Sequence, residues 1–294
     1  MTASTDADLA ALQRACTLAE LRFSTATLLH RHATAVYLLE PLPVVARVSS
    51  GQDNRSRART AARIAQWLNE LSFPAAAPVD VHQPIEIGEQ TVTFWHYYPQ
   101  HDRPAPDAAH LGALLRDLHQ LPDVPPVPLE PYEPLVSLGT VLASAASLDD
   151  EDRTWVQHRR SHLLDAYRDL SSILGHGFIH GDAYPGNTLW DGTRVVLGDW
   201  DEVVYGPREL DLTNTQQGAR FGRSAAERER FSTAYGWDVT RWPGYPVLRE
   251  IRELHTLAVY IRRSDQGDCA AAAELKHRLR TLRTGDTSAD WHTV

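Results

Sequence analysis

The stretch Ile179-His-Gly-Asp-Ala-Tyr-Pro-Gly-Asn187, followed eleven residues later by Gly198-Asp-Trp200, decides how this chain is read. Phe178 and Ile179 close an apolar approach, and residues 180–187 form a polar loop. Thr188–Trp190 and Arg194–Leu197 have the composition of short strands, and Asp191-Gly192 between them is a strong hairpin-turn signal. Such a hairpin returns Asn187 and Asp199 to one end, close to Asp182. Two carboxylates and a carboxamide so placed suit transfer of a γ-phosphate. One carboxylate takes the proton of an attacking hydroxyl, and the other oxygens hold Mg2+. Asp182 fits the first role; Asn187 and Asp199 fit the second.

The pattern His180-Gly-Asp-x-x-x-x-Asn187 with Asp199 resembles the catalytic loop and metal-binding Asp of the aminoglycoside phosphotransferase and choline kinase-like superfamily, the small-molecule counterpart of the protein-kinase set. Asp199-Trp200, Gly206-Pro207 and Asp211-Leu212 match in order and spacing and carry the resemblance through residue 212. The resemblance implies an α+β, bilobal protein kinase-like fold. Its small, β-rich nucleotide-binding lobe would span 1–99 with a hinge at about 96–99. A larger, mainly helical catalytic and substrate-binding lobe would span 100–294.

The same resemblance implies roles. Asp182 would be the catalytic base, with His180 fixing the loop by hydrogen bonds, and Asn187 and Asp199 would hold Mg2+. ATP or GTP would be the co-substrate. Val44–Val48 sits where the nucleotide-gripping strand lies, which gives Arg47 the phosphate-binding role, and backbone groups at His96, Tyr97 and Tyr98 would read the nucleobase edge. Asp211 would support the loop or cap a helix. The implied acceptor is a small-molecule hydroxyl on an aminoglycoside or other antibiotic, a sugar or an amino alcohol. Two alternatives share the fold: a non-catalytic nucleotide- or metabolite-binding protein, and a kinase of Ser/Thr in a peptide.

Composition narrows the field from another side. With 294 residues, 43% hydrophobic and 23% charged, the chain can bury a sizeable core. No stretch is apolar enough to span a membrane, and the N-terminus lacks the basic and apolar regions of a signal peptide, so the cytoplasm is the expected compartment. A net charge of −9 disfavours nucleic acid as a partner and is compatible with a cationic substrate. Cys16 and Cys269 stand far apart, which indicates neither a disulfide framework nor a zinc site. A monomer or homodimer is expected.

All but one of the 29 basic residues are arginine, the exception being Lys276. No Walker-A motif exists, and no lysine can occupy the N-terminal phosphate-gripping position. Arg47 stands there instead, always charged and able to grip phosphate bidentately. Two further departures accompany it. Gln52 to Asn69 contains no Glu, so the helix that would supply the partner of that cation carries only Asp53. No glycine precedes Gly51, so the phosphate flap is not glycine-rich. The corresponding turn is residues 30–35, where His30, Arg31 and His32 are candidate phosphate contacts.

Along the chain, periodicity predicts helices over residues 8–22, 57–71, 111–118, 150–174, 224–235, 247–263 and 270–282, with Ser224 as a cap. Strands are expected over 36–39, 44–49, 85–87 and 91–95. The six prolines between Pro122 and Pro134 predict an extended connector. Acidic, aromatic and arginine residues alternate after Asp211, so that region does not single out an acceptor.

Overall fold

The computed structural model describes residues 2–31, 34–100, 103–121 and 124–293. Its N-terminal part is built on a β-sheet and its C-terminal part on helices, the α+β class expected from sequence. The chain divides into two compact units, each drawn from three stretches. The first comprises Met1–Pro106, Gln120–Leu129 and Pro185–Val203; the second comprises Asp107–His119, Glu130–Tyr184 and Val204–Val294.

In the first unit, α1 (Thr2–Leu18) precedes strands β1 (Thr25–Arg31), β2 (Ala35–Glu40) and β3 (Val44–Ser50), then α2 (Gln52–Glu70), β4 (Ile85–Ile87) and β5 (Gln90–His96). The strands form one antiparallel sheet in the order β1-β2-β3-β5-β4. Strand alternation divides its two faces. Val44, Ala46 and Val48 join Tyr37, Val92 and Phe94 in a core closed by Leu12, Ala15 and Cys16 of α1. Val45, Arg47 and Ser49 therefore point to the other face, where α2 buries Ala61, Ala65 and Leu68.

Strand β1 was not foreseen. Nearly all its residues are exposed, so it lacks the in–out alternation by which a strand is read, and it pairs with β2 through a bulge between Leu28 and His30. Arg31 at its end donates to the Tyr37 hydroxyl at 3.0 Å and pairs with Asp8 of α1. It is thus engaged with the helix. His32 of the expected phosphate turn lies outside the described residues.

The second unit holds α3 (Ala108–Leu118), α4 (Val136–Leu142), α5 (Asp150–Arg168), β6 (His176–Ile179), and, past the hairpin β7 (Thr188–Asp191) and β8 (Arg194–Leu197) of the first unit, β9 (Val204–Pro207). Helices α6 (Glu209–Gln217), α7 (Ala225–Tyr235), α8 (Tyr245–Asp265) and α9 (Cys269–Thr284) complete it. Asp107 caps α3 by accepting from the amides of Ala109 and His110, and Ser224 caps α7 by accepting from Glu227. Close approach of α3 and α7 needs a glycine: a Cβ on Gly112 would lie 2.4 Å from the Phe231 carbonyl oxygen.

Helices α1 and α2 begin earlier than the expected 8 and 57, and the second unit departs from expectation at three places. Helix α5 stops at Arg168, because the amides of Ile173 and Leu174 donate to the buried Glu209 carboxylate at 2.6 and 2.9 Å. Helix α4 follows the proline-rich connector, whose residues 122 and 123 lie outside the described ones. The polar tail is docked. Trp291 is buried, its amide donates to Arg220 O at 2.6 Å, and the guanidinium groups of Arg220 and Arg278 lie 4.5 and 4.7 Å from its ring. Among the described residues no helix is long and apolar enough to cross a membrane.

Candidate active site

In the second unit the loop opens after β6, which pairs antiparallel with β9. His180 is fully buried, and Gly181 turns the chain at φ 82°, a conformation that glycine adopts without strain. Asp211 lies inside helix α6, not at its cap, and clasps this turn. Its Oδ2 accepts from the His180 amide and its Oδ1 from the Gly181 amide, each at 2.8 Å. His119 Nε2 stands 3.1 Å from Asp211 Oδ2, and its Nδ1 meets the Tyr235 hydroxyl at 2.9 Å. Burial works against the Asp211 charge, yet the hydrogen bond and charge of His119, with His180, draw its pKa below the ordinary carboxylate value.

The loop so fixed presents Asp182. Its amide donates to His180 Nδ1 at 3.3 Å, so the imidazole braces the turn. Its carboxylate Oδ1 accepts from Asn214 Nδ2 of α6 at 3.1 Å and from Arg252 Nη2 of α8 at 2.6 Å. Arg252 lies within reach of Gly181 O as well, at 3.5 Å. Sequence reading missed both partners of Asp182, which sit 32 and 70 residues away with no local spacing to reveal them.

In the first unit, β7 and β8 form the expected hairpin, with Thr188 opposite Leu197. Gly198 N donates to Asn187 O at 2.8 Å, which brings Asn187 and Asp199 to neighbouring positions at the open end. Asn187 is buried, whereas the Asp199 side chain is 48% exposed. Asp199 has φ 61° and ψ 62°, a left-handed conformation costly for a residue with a side chain. It is held by the next residue: Trp200 is fully buried, packs edge-on to Phe73 at 6.2 Å and donates to Leu197 O at 3.1 Å.

Arg47 joins this turn. Placed on β3 opposite Val36 and Thr93, it donates through Nη2 to Asp199 Oδ1 at 3.0 Å and to Asp201 Oδ2 at 2.5 Å. Desolvation works against its charge, but Asp201 and then Asp199 raise its pKa above the ordinary value. Burial pushes Asp201 the other way for an acid, up from the usual carboxylate range, with Arg47 opposing. The geometry favours an intact ion pair. Arg57 of α2 pairs in turn with Glu202. The missing helix glutamate was visible in the sequence; the partner that Arg47 uses instead was not.

His96, Tyr97 and Tyr98 follow β5. The His96 amide donates to Ala77 O at 3.0 Å and the Tyr97 amide to Pro43 O at 2.8 Å. The Tyr98 hydroxyl accepts from Ala77 N at 2.9 Å, and burial raises its pKa. Gln100 continues the segment by bridging Tyr98 O at 2.8 Å and Trp190 O at 3.0 Å, and its Oε1 accepts from Trp190 N at 2.9 Å.

No curated protein matches the sequence. Solved structures match its fold along almost the whole chain. The amicoumacin kinase hAmiN, in complex with AMP-PNP, Ca2+ and Ami, superposes with a TM-score of 0.75 at 14% identity, covering 99% of this chain and 98% of that one. A microcompartment-associated aminopropanol kinase gives 0.69 at 16%, with 95% and 99% covered. The GDP and kanamycin complex of APH(2")-IIia gives 0.67 at 13%, again with 95% and 99% covered. At such identities the likeness is one of fold. The family itself is shown by sequence: the model of the phosphotransferase enzyme family matches residues 26–251, most of the length, and the chain belongs to that family of small-molecule kinases.

Proposed function

We propose that this phosphotransferase moves the γ-phosphate of ATP or GTP to a hydroxyl of a small molecule, with Asp182 as the catalytic base. The observation that carries the reading is the state of Asp182. Its carboxylate is held by Asn214 and Arg252 on a loop whose amides are pinned by a buried carboxylate. A base held in this way accepts the hydroxyl proton as the phosphorus–oxygen bond forms, and orients that hydroxyl beforehand. His180 is a positioning residue, since its Nδ1 serves the Asp182 amide.

Asn187 and Asp199 offer oxygen donors at adjacent positions, the chemistry a hard divalent cation prefers. Among the described residues no three His, Cys, Asp or Glu gather as a metal site, so phosphate oxygens and water would complete the shell. Mg2+ bound there would neutralise phosphate charge and fix phosphate geometry. Arg47 would add a phosphate contact. The nucleobase edge would meet the His96 carbonyl and the Tyr98 amide, because the amides of His96 and Tyr97 already donate within the sheet region.

For the acceptor we favour a hydroxyl on an antibiotic, a sugar or an amino alcohol. Structural neighbours named as amicoumacin and aminopropanol kinases, and one bound to kanamycin, support that range. The experiment is release of ADP or GDP by the purified protein with Mg2+ across such a panel, with Asp182→Asn alongside. Acceptor-dependent turnover that falls by about 10²- to 10⁴-fold in the variant is expected. Turnover that survives the substitution would remove Asp182 from the mechanism.

A further inference from the structure

Around Arg47 the carboxylate of the expected ion pair comes from a different element. Helix α2 has no Glu between Gln52 and Asn69 and carries Arg55, Arg57, Arg59 and Arg63 instead. The negative charge comes from the turn after β8, which places Asp199, Asp201 and Glu202 within four residues. Arg57 of the helix engages Glu202, and Arg47 of the sheet engages Asp201 and Asp199. The same turn thus holds both the helix and the strand, each by a carboxylate meeting an arginine. Arg47, Arg57 and Asp201 line one small recess with Ser49, Asn54 and Thr93.

The two carboxylates on Arg47 are not equivalent. Asp199 is the more exposed, 48% against 29% for Asp201, and it alone is paired at its position with Asn187 as an oxygen donor. A divalent cation on Asp199 would stand beside the guanidinium, and like charges at that range repel. Arg47 would then give up its 3.0 Å bond to Asp199. What keeps it from swinging away is the shorter bond to Asp201. Both bonds fall on Nη2, so the Nη1 N–H groups at the tip of the guanidinium are left to meet a phosphate oxygen.

We propose that Asp201 is the positioning residue for the nucleotide: it replaces the absent helix carboxylate and keeps Arg47 aimed at the phosphates once Asp199 takes the metal ion. The assignment rests on the phosphotransferase reading of Arg47 and Asp199. Asp201 acts only through Arg47, which sets it apart from a structural acid.

The test is a double-mutant cycle on nucleotide affinity, measured by calorimetry with ATP and with GTP, each with and without Mg2+. Asp201→Asn, nearly isosteric, is expected to weaken Mg2+-nucleotide binding about tenfold, and Arg47→Ala by a similar factor. In the Arg47→Ala background, Asp201→Asn should change affinity by less than about twofold, because its partner is gone. Asp201→Glu should restore part of the loss. Asp199→Asn should instead remove the gain in affinity that Mg2+ brings. Affinity of Asp201→Asn within about twofold of wild type, or an equal loss in both backgrounds, overturns the assignment while leaving the phosphotransferase reading in place. Wild-type protein that binds neither nucleotide overturns both.

Discussion

Asp211 and Asp199 are twelve residues apart in the chain and solve opposite problems. Asp211 is wholly buried, and its partners are two backbone amides and an imidazole that is itself anchored by Tyr235. None of these can leave without unfolding the loop. Asp199 is half exposed, on a left-handed backbone, and its partner is the end of a long arginine side chain. That partner can be exchanged. Fixed donors surround the carboxylate that maintains shape, and a movable donor attends the carboxylate proposed to receive a cation.

The contrast is most exposed to Asp211→Ala. Removing this carboxylate leaves buried amides and His119 without an acceptor, and urea unfolding should show a loss of about 3–5 kcal/mol. Asp199→Ala should cost no more than about 1 kcal/mol, since its ion pair is half in water. Equal losses would dissolve the distinction.

Acid sharpens the same comparison. The folded-state pKa of Asp211 lies below its ordinary value of 3.8, so its contribution is complete above that value and drains away as pH falls through the folded pKa. Wild-type stability should therefore decline below about pH 4, and Asp211→Asn should flatten that decline in urea midpoints read against pH.

Arg252→Ala tests whether Asp182 resembles Asp211 or Asp199 in its dependence on partners. Turnover should fall about 10- to 100-fold with nucleotide affinity unchanged, because among the described residues Arg252 bonds to Asp182 and to Gly181 of its loop. A matching loss of affinity would place Arg252 elsewhere in the reaction. The smallest effect sets the scale for a single exposed contact. Ser224→Ala removes the one bond that caps α7 and should lower stability by about 1 kcal/mol in the same urea titration.

What could be read from sequence follows from the same division. The loop 180–187, the hairpin and the cap at Ser224 were legible because each depends on residues a few positions apart. Strand β1 was not, since a strand exposed on both sides has no alternation to detect. Helix α6 hid its role for a different reason. All nine of its residues are buried, among them Glu209, Asp211, Thr213 and Asn214, whereas polar residues in a sequence are read as surface. The partners of Arg47 and Asp182 lie 152 and 70 residues away in the chain. For Arg47 the sequence showed a vacancy, a helix without Glu, but the carboxylate that fills it came from a turn whose acids were equally consistent with facing solvent.

The two cysteines give the molecule a property of a different kind. Cys16 on α1 is packed into the sheet core, where desolvation pushes its thiol pKa up to about 11, while Cys269 is exposed at the first turn of α9. Thiolate is the reactive form, so the buried sulfur is chemically silent at neutral pH. An alkylating or fluorescent reagent would therefore mark the native protein once, on α9. The second sulfur would answer only when the first unit opens, and its labelling rate would time that opening.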